Sequence, residues 1–157
     1  MNKSATLEIF EEHDEVTYYS FKYTDQSSCE FDLFLDAFID NVDYKEDVDT
    51  ILYWMDKIGL EGDDDAKFRP ERGDLKALPV ETSRLRVFCF KVTDGIVLLG
   101  NGGENTTRTF NEDPILNTHA MNILSLGKIL CSLIKNGTVT AYNKQLFGLK
   151  AITFEAI

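Results

Sequence analysis

Residues 84–103, RLRVFCFKVTDGIVLLGNGG, decide the fold. Long polar and apolar side chains alternate through RLRVFCFKV, Asp94-Gly95 supplies a tight reversal, and IVLLGN returns as a second apolar run. Alternation around an Asp-Gly pair is a strong short-range signal for an antiparallel hairpin. Side chains alternate along a strand, so Leu85, Val87, Cys89 and Lys91 are expected on one face, with Arg84, Arg86, Phe88 and Phe90 on the other. Arg84 and Arg86 are therefore expected to point the same way.

The segment LKALPV (75–80) reads as a short strand leading into this hairpin. Downstream, Asp113 followed by Pro114 is a helix start, because proline at the first helical position gives up an amide that has no partner there. Ile115, Leu116, Ala120, Ile123, Leu124, Leu130 and Ile134 carry that helix inward to Lys135, and Asn136-Gly137 ends it. The tail, residues 139–157, reads as a strand, a turn and a terminal strand.

Upstream, ATLEIF (5–10) and VTYYSFKY (16–23) are β-branched and aromatic and flank a polar link, so the chain opens with a second hairpin. Ser27 with Glu30 forms a capping-box pattern ahead of Phe31, Phe34, Leu35, Phe38, Ile39 and Val42 at helical spacing. Asp43 with Glu46 repeats the pattern ahead of Val48, Ile51, Leu52, Met55 and Ile58, in a helix expected to stop at Gly59. The two helices are expected to pack as a pair. EGDDDAKFRPERGD (61–74), with Gly62, Pro70 and Gly73 as breakers, reads as a polar link. This order predicts an α+β fold: an antiparallel sheet with an N-terminal helix pair and a C-terminal helix. The 157 residues fit one domain, 1–157, with an N-terminal hairpin and a C-terminal strand extension.

Composition narrows the class. At 43% hydrophobic, with eleven Phe and six Tyr, the chain has enough apolar mass to bury a core, which excludes intrinsic disorder. Cys29, Cys89 and Cys131 are odd in number and widely spaced, which suits reduced, core-filling thiols and no zinc site. The opening MNKSATLEIFEEHDE lacks the apolar core of a signal peptide, and there is no apolar run long enough to span a bilayer, so a cytoplasmic location without membrane attachment is expected.

Charge is unevenly spread. The net charge is −11, but residues 1–65 hold 19 acids against four bases, whereas residues 66–157 hold eight acids against twelve bases. Lys67, Arg69, Arg72, Lys76, Arg84, Arg86 and Lys91 fall within 25 residues, and all five arginines lie between positions 69 and 108. Solvation and internal pairing account for most such runs. The sharper reading is a phosphate-contacting surface, since the planar guanidinium fork suits bidentate phosphate contact.

Signatures of other chemistries are missing. GNGGEN (100–105) lacks the spacing of a dinucleotide loop, and Gly127-Lys128 is followed by Ile129 where a phosphate loop needs Ser or Thr. His13 and His119 lie over 100 positions apart with no metal-binding pattern, and GDDDAK lacks the other ligands of a calcium loop, so neither a metal nor a cofactor is implied.

The motifs FRPE (68–71), ALP (77–79), LRVFC (85–89), LLGNGG (98–103) and TRTFNEDP (107–114) resemble those of a group of bacterial HigB-like proteins. The wider layout over about residues 30–135 resembles the RelE/HigB superfamily of type II toxins. That resemblance implies a RelE-like fold and metal-independent mRNA endoribonuclease activity. It also implies mRNA or the ribosome as target and a helix-turn-helix antitoxin as partner. In such enzymes the ribose 2′-OH attacks the adjacent phosphate and basic side chains hold the developing charge. By position, Arg84, Arg86 and Lys76 correspond to the basic strand residues, and Arg108 joins them as a catalytic candidate, with most weight on Arg86 and Arg108. Arg69, Arg72, Lys91 and Asn101 are the candidate RNA-binding residues, with Asn101 also able to serve a tight Asn-Gly-Gly loop. Glu71, Glu112, Asp113, His119 and Tyr142 stay open as the proton carrier, although Asp113 also suits a helix cap and His119 a core position.

Two other functions fit the same residues. One is a catalytically inactive RelE-fold interaction module. The other is an acidic inhibitor that mimics nucleic acid through residues 1–65, where Asp63, Asp64 and Asp65 concentrate charge.

Overall fold

A computed structural model describes residues 1–79 and 84–157. Its centre is the expected hairpin: β5 (Leu85–Thr93) turns at Asp94-Gly95 into β6 (Ile96–Glu104). Around it lie β1 (Asn2–Glu12), β2 (Thr17–Tyr23), β3 (Arg69–Arg72), β4 (Leu75–Ala77) and β9 (Ile152–Glu155), giving a seven-stranded sheet in the order β3-β4-β5-β6-β2-β1-β9. A separate hairpin joins β7 (Thr140–Tyr142) to β8 (Gln145–Phe147). The helices are α1 (Glu30–Phe38), α2 (Lys45–Glu61) and α3 (Pro114–Lys135). None of the described helices is long and apolar enough to cross a membrane.

Burial of two faces explains the near-continuous apolar β5 and β6. Leu85, Val87, Cys89, Val97 and Leu99 pack with Phe31, Phe34, Val48, Ile51, Met55 and Ile58 under α1 and α2. Phe88, Phe90, Ile96 and Leu98 pack with Leu116, Ala120, Ile123, Leu126 and Leu130 of α3. The alternation of β5 thus sorts its side chains between two cores.

Several expectations need correction. The fold is α+β, but strands come first: α1 and α2 follow the opening hairpin and do not form an N-terminal helix pair. The sheet is not wholly antiparallel, since β2 and β6 pair in parallel from Thr17↔Ile96 to Ser20↔Leu99. The segment 69–72, expected as link, is a strand at the sheet edge, where Pro70 needs no ladder donor. The expected 75–80 strand ends at Ala77, and its last position, Val80, lies outside the described residues.

Cap chemistry differs too. No side chain caps α1, because Glu30 is turned inward and buried. Nor does a side chain cap α2, since the short turn Val42–Tyr44 precedes it and Asn41 accepts the Asp43 amide. That helix runs past Gly59 to Glu61 and ends at Gly62, whose φ of +113° a residue with a Cβ rarely adopts. Asp113 caps α3 as expected, accepting from the amides of Ile115 (2.9 Å) and Leu116 (3.2 Å). Cys29 and Cys89 are buried free thiols, while Cys131 is only half-buried.

Candidate functional site

Four arginines from three separate segments line one cleft of about 390 Å³: Arg69 and Arg72 on β3, Arg86 on β5, and Arg108 in the link to α3. Local geometry explains the convergence. Alternation puts Arg69 and Glu71 on one face, and a bulge between Pro70 and Arg72 returns Arg72 to the α3 face, opposite Leu75. Arg86 reaches the same face because its neighbours Leu85 and Val87 pack into the other core. Thr109, Phe110 and Asn111 close the far wall, with Phe110 anchored edge-on to Phe88 at 5.6 Å.

The charges are arranged around a single carboxylate. Glu71 Oε1 lies 3.5 Å from Arg86 Nε and 3.6 Å from Arg69 Nε. Arg86 is 2% exposed, so its guanidinium has left water. Burial pushes the Glu71 carboxyl above the usual carboxylate range, while Arg86 and Arg69 hold it back. Burial pulls Arg86 down, Glu71 raises it, and Arg69 adds to the lowering; guanidinium nonetheless stays charged at any biological pH. The buried atoms Arg69 Nη1, Arg86 Nε, Arg86 Nη1 and Glu71 Oε1 make no hydrogen bond. Buried donors normally have acceptors. Arg86 Nε faces Glu71 Oε1 in the ion pair, which leaves two such donors, Arg69 Nη1 and Arg86 Nη1; with Arg72 and Arg108 exposed at the rim, they suit an oxyanion with several acceptor oxygens.

The remaining candidates lie elsewhere. Arg84 does not point with Arg86. It precedes the first residue of β5, donates to the Asp43 carbonyl at 2.6 Å and stacks over the Tyr44 ring at 4.7 Å, so strand alternation does not govern it. Lys76 pairs opposite Cys89, on the face covered by α1 and α2. Lys91 shares that face and contacts Asp94 (3.4 Å) and Asp63 (3.8 Å). Asn101 lies within β6, not in a tight loop, and lines a different cleft together with His119.

Among the proposed proton carriers, Glu71 alone is in the arginine cleft. Asp113 is occupied as a cap, Glu112 accepts from Thr109 Oγ1 at 3.1 Å, and Tyr142 is exposed on β7. No spacing in the sequence singles out Glu71, because its placement depends on 69–72 being an edge strand and not a link. Nor does any spacing show the group Glu30, Asn101 and His119, whose members are far apart in sequence. For a metal, the described residues offer one donor set, Glu11, His13 and Asp56, with ligand atoms within 4.8 Å of one another. There the His13 Nε2 is already hydrogen-bonded to Glu11 at 2.6 Å. No protein-family model, curated protein or solved structure matches the chain, so the chemistry of its own clefts is what speaks for its function.

Proposed function

We propose that the chain is the toxin of a type II toxin-antitoxin pair, a RelE/HigB-like, metal-independent endoribonuclease acting on mRNA, free or on the ribosome, and restrained by a helix-turn-helix antitoxin. One observation carries the reading: beyond their Nε contacts with Glu71, the buried Arg69 Nη1 and Arg86 Nη1 make no hydrogen bond, and both side chains line a cleft shared with Arg72 and Arg108. A phosphodiester offers those donors two non-bridging oxygens and brings the negative charge they need. In the reaction, the ribose 2′-oxygen bonds to phosphorus and the P–O5′ bond breaks. Glu71 takes the 2′-hydroxyl proton, and the departing 5′-oxygen is protonated from water at the open rim. A carboxyl raised by burial is better matched to this task than an ordinary one. Arg86 and Arg108 hold the charge that grows on the phosphorane. Lys76 and Arg84, on the opposite face, have no part in this step.

The test is cleavage of single-stranded RNA, alone and on translating ribosomes, in the presence of EDTA. Products with 2′,3′-cyclic phosphate ends are expected, and Arg108→Ala and Arg86→Ala each lower the rate by about 100-fold. Arg84→Ala leaves it unchanged. Intact RNA in both settings, with normal growth on expression without the neighbouring gene, overturns the proposal. Under that result, a stable complex with a helix-turn-helix protein identifies an interaction module instead.

A further inference from the structure

We propose that the crevice at the carboxyl end of β6, between α1 and α3, binds a small organic cation, an ammonium or guanidinium carried on a short apolar body. This inference is independent of the arginine cleft and of the function assigned to it.

Topology creates the crevice. The two strands run parallel side by side, but β2 leads into α1 on one face of the sheet and β6 leads into α3 on the other. Adjacent parallel strands whose following helices leave in opposite directions open a gap at their carboxyl ends, the usual ligand position in open parallel sheets; here the gap is lined by the end of β6, by α1 and by the start of α3. Pairing stops at Ser20↔Leu99, and beyond it β6 continues through Glu104 with β5 as its partner. Where the pairing stops, the Ser20 hydroxyl donates to the Leu99 carbonyl at 2.9 Å and accepts from the Phe31 amide at 3.3 Å, which ties α1 to the strand pair.

The lining selects the ligand. The cleft is about 400 Å³, near the small end for ligand sites. Leu33 and Phe38 from α1 face Ile115 and Leu116 from α3, and Ile115 is 66% exposed, so the walls are apolar up to the mouth. The ionisable groups lining it are Glu104, Asp113 and His119, and among the described residues no lysine or arginine joins them. Behind Asn101 and His119 sits Glu30, 5% exposed, with Oε1 3.9 Å from His119 Nδ1. Burial raises the Glu30 carboxyl, against hydrogen bonds from Gln26 and Asn101 and the Lys3 charge, and lowers His119, which is therefore a neutral imidazole at neutral pH. Arg84 is held on Tyr44, outside the lining, and the Tyr44 hydroxyl engages Glu104 from behind the mouth.

An anion is disfavoured on specific grounds. The amides at the start of α3 would attract one, but Asp113 already accepts from them. It would face the Glu104 and Asp113 carboxylates, and the described lining residues include no cation. A cation gains from Glu104 and Asp113 at the mouth, and its apolar body gains from the walls. Such a group has two sources: a free small amine, or a lysine or arginine side chain on the surface of a partner protein.

The test is amide-resolved NMR titration of the full chain with three probes sharing one body: phenethylamine, phenethyl alcohol and phenylacetate. A fourth, acetyl-Leu-Arg-Leu-amide, represents a partner's side chain. Saturable shifts centred on Asn101, Gly102 and Gly103 are expected, with the amine bound about tenfold more tightly than phenylacetate. Glu104→Gln weakens the amine about fivefold and leaves the alcohol unchanged. Tighter binding of the peptide than of the amine assigns the site to a partner side chain, and the reverse order assigns it to a free small molecule; either supports the proposal. Equal or tighter binding of phenylacetate, shifts mapping away from the crevice, or no shift from any probe at ~10 mM overturns it.

Discussion

Gly102 shows how closely β5 and β6 approach behind the arginine cleft. A Cβ on Gly102 would lie 1.8 Å from the Arg86 carbonyl oxygen and 2.7 Å from Val87 Cα, both backbone atoms that can move only with the strand. On Gly103 the nearest atom would be Leu116 Cδ2 at 3.6 Å, an ordinary contact. Gly102→Ala is therefore expected to destabilise the fold by about 3 kcal/mol, in the upper range of overpacking, and Gly103→Ala by less than about 1 kcal/mol. Urea unfolding of both variants checks the pair, and equal effects would contradict the register. Glu30 gives a second expectation. Its folded-state carboxyl is raised, so between the ordinary glutamate range and that raised value the folded chain holds a proton the unfolded chain has released. The associated stability is present below the window and lost as pH rises through it. Relative to the native chain, Glu30→Gln should show a shallower decline across that window, read as urea midpoints in buffers from about pH 4 to about pH 8. A parallel pair of curves would show that Glu30 titrates normally.

Among the elements, α3 is the best defined by local chemistry, and the Asp113 cap should be measurable by itself. Asp113→Ala removes the acceptor of two first-turn amides, at a cost of about 1 kcal/mol. Hydrogen exchange at Ile115 and Leu116 should quicken while that at Leu126 and Leu130, buried mid-helix, keeps pace with global unfolding. This helix and the β5–β6 hairpin were legible because their signals are local: Asp113 next to Pro114, Asp94 next to Gly95, and alternation within nine residues of β5. The parallel pairing of β2 with β6 was not, since strands separated by more than 70 residues leave no short-range pattern, and α1 and α3 leave that pair on opposite faces to flank the crevice lined by Asn101 and His119. The RPER run on β3 read as link because it is charged and contains proline, yet edge position removes the objection to both. Of the eight basic or polar site candidates, the arginine cleft gathers Arg69, Arg72, Arg86 and Arg108. Arg84 left the set through contacts with Asp43 and Tyr44, which no strand periodicity contains.

At the scale of the whole molecule, a net charge of −11 and a cationic cleft coexist because the sheet separates them. The acid-rich stretch 1–65 builds β1, β2, α1 and α2, and both helices cover the face opposite the cleft. Exposed carboxylates such as Asp36, Asp40, Glu46 and Asp49 are thus about one packed layer or more from Arg86, on the order of 10 Å. At physiological ionic strength the Debye length is about 8 Å, so these acids are largely screened from a ligand in the cleft; at 0.01 M salt it is about 30 Å, and they are not. Under the proposed function, single-stranded RNA held by about three guanidinium–phosphate contacts should bind with a log–log salt slope of about −2 above about 0.1 M. Arg108→Ala should make that slope shallower by about 0.7. Below about 0.02 M the native curve should flatten, because repulsion from α1 and α2 then grows as fast as cleft attraction. Neutralising Asp36, Asp40, Glu46 and Asp49 together should restore the straight line without changing the slope at higher salt. Fluorescence anisotropy with a labelled oligonucleotide measures all three curves. A slope near zero for the native chain would mean that no phosphate reaches these arginines, and an unchanged slope in Arg108→Ala would place the RNA on another surface.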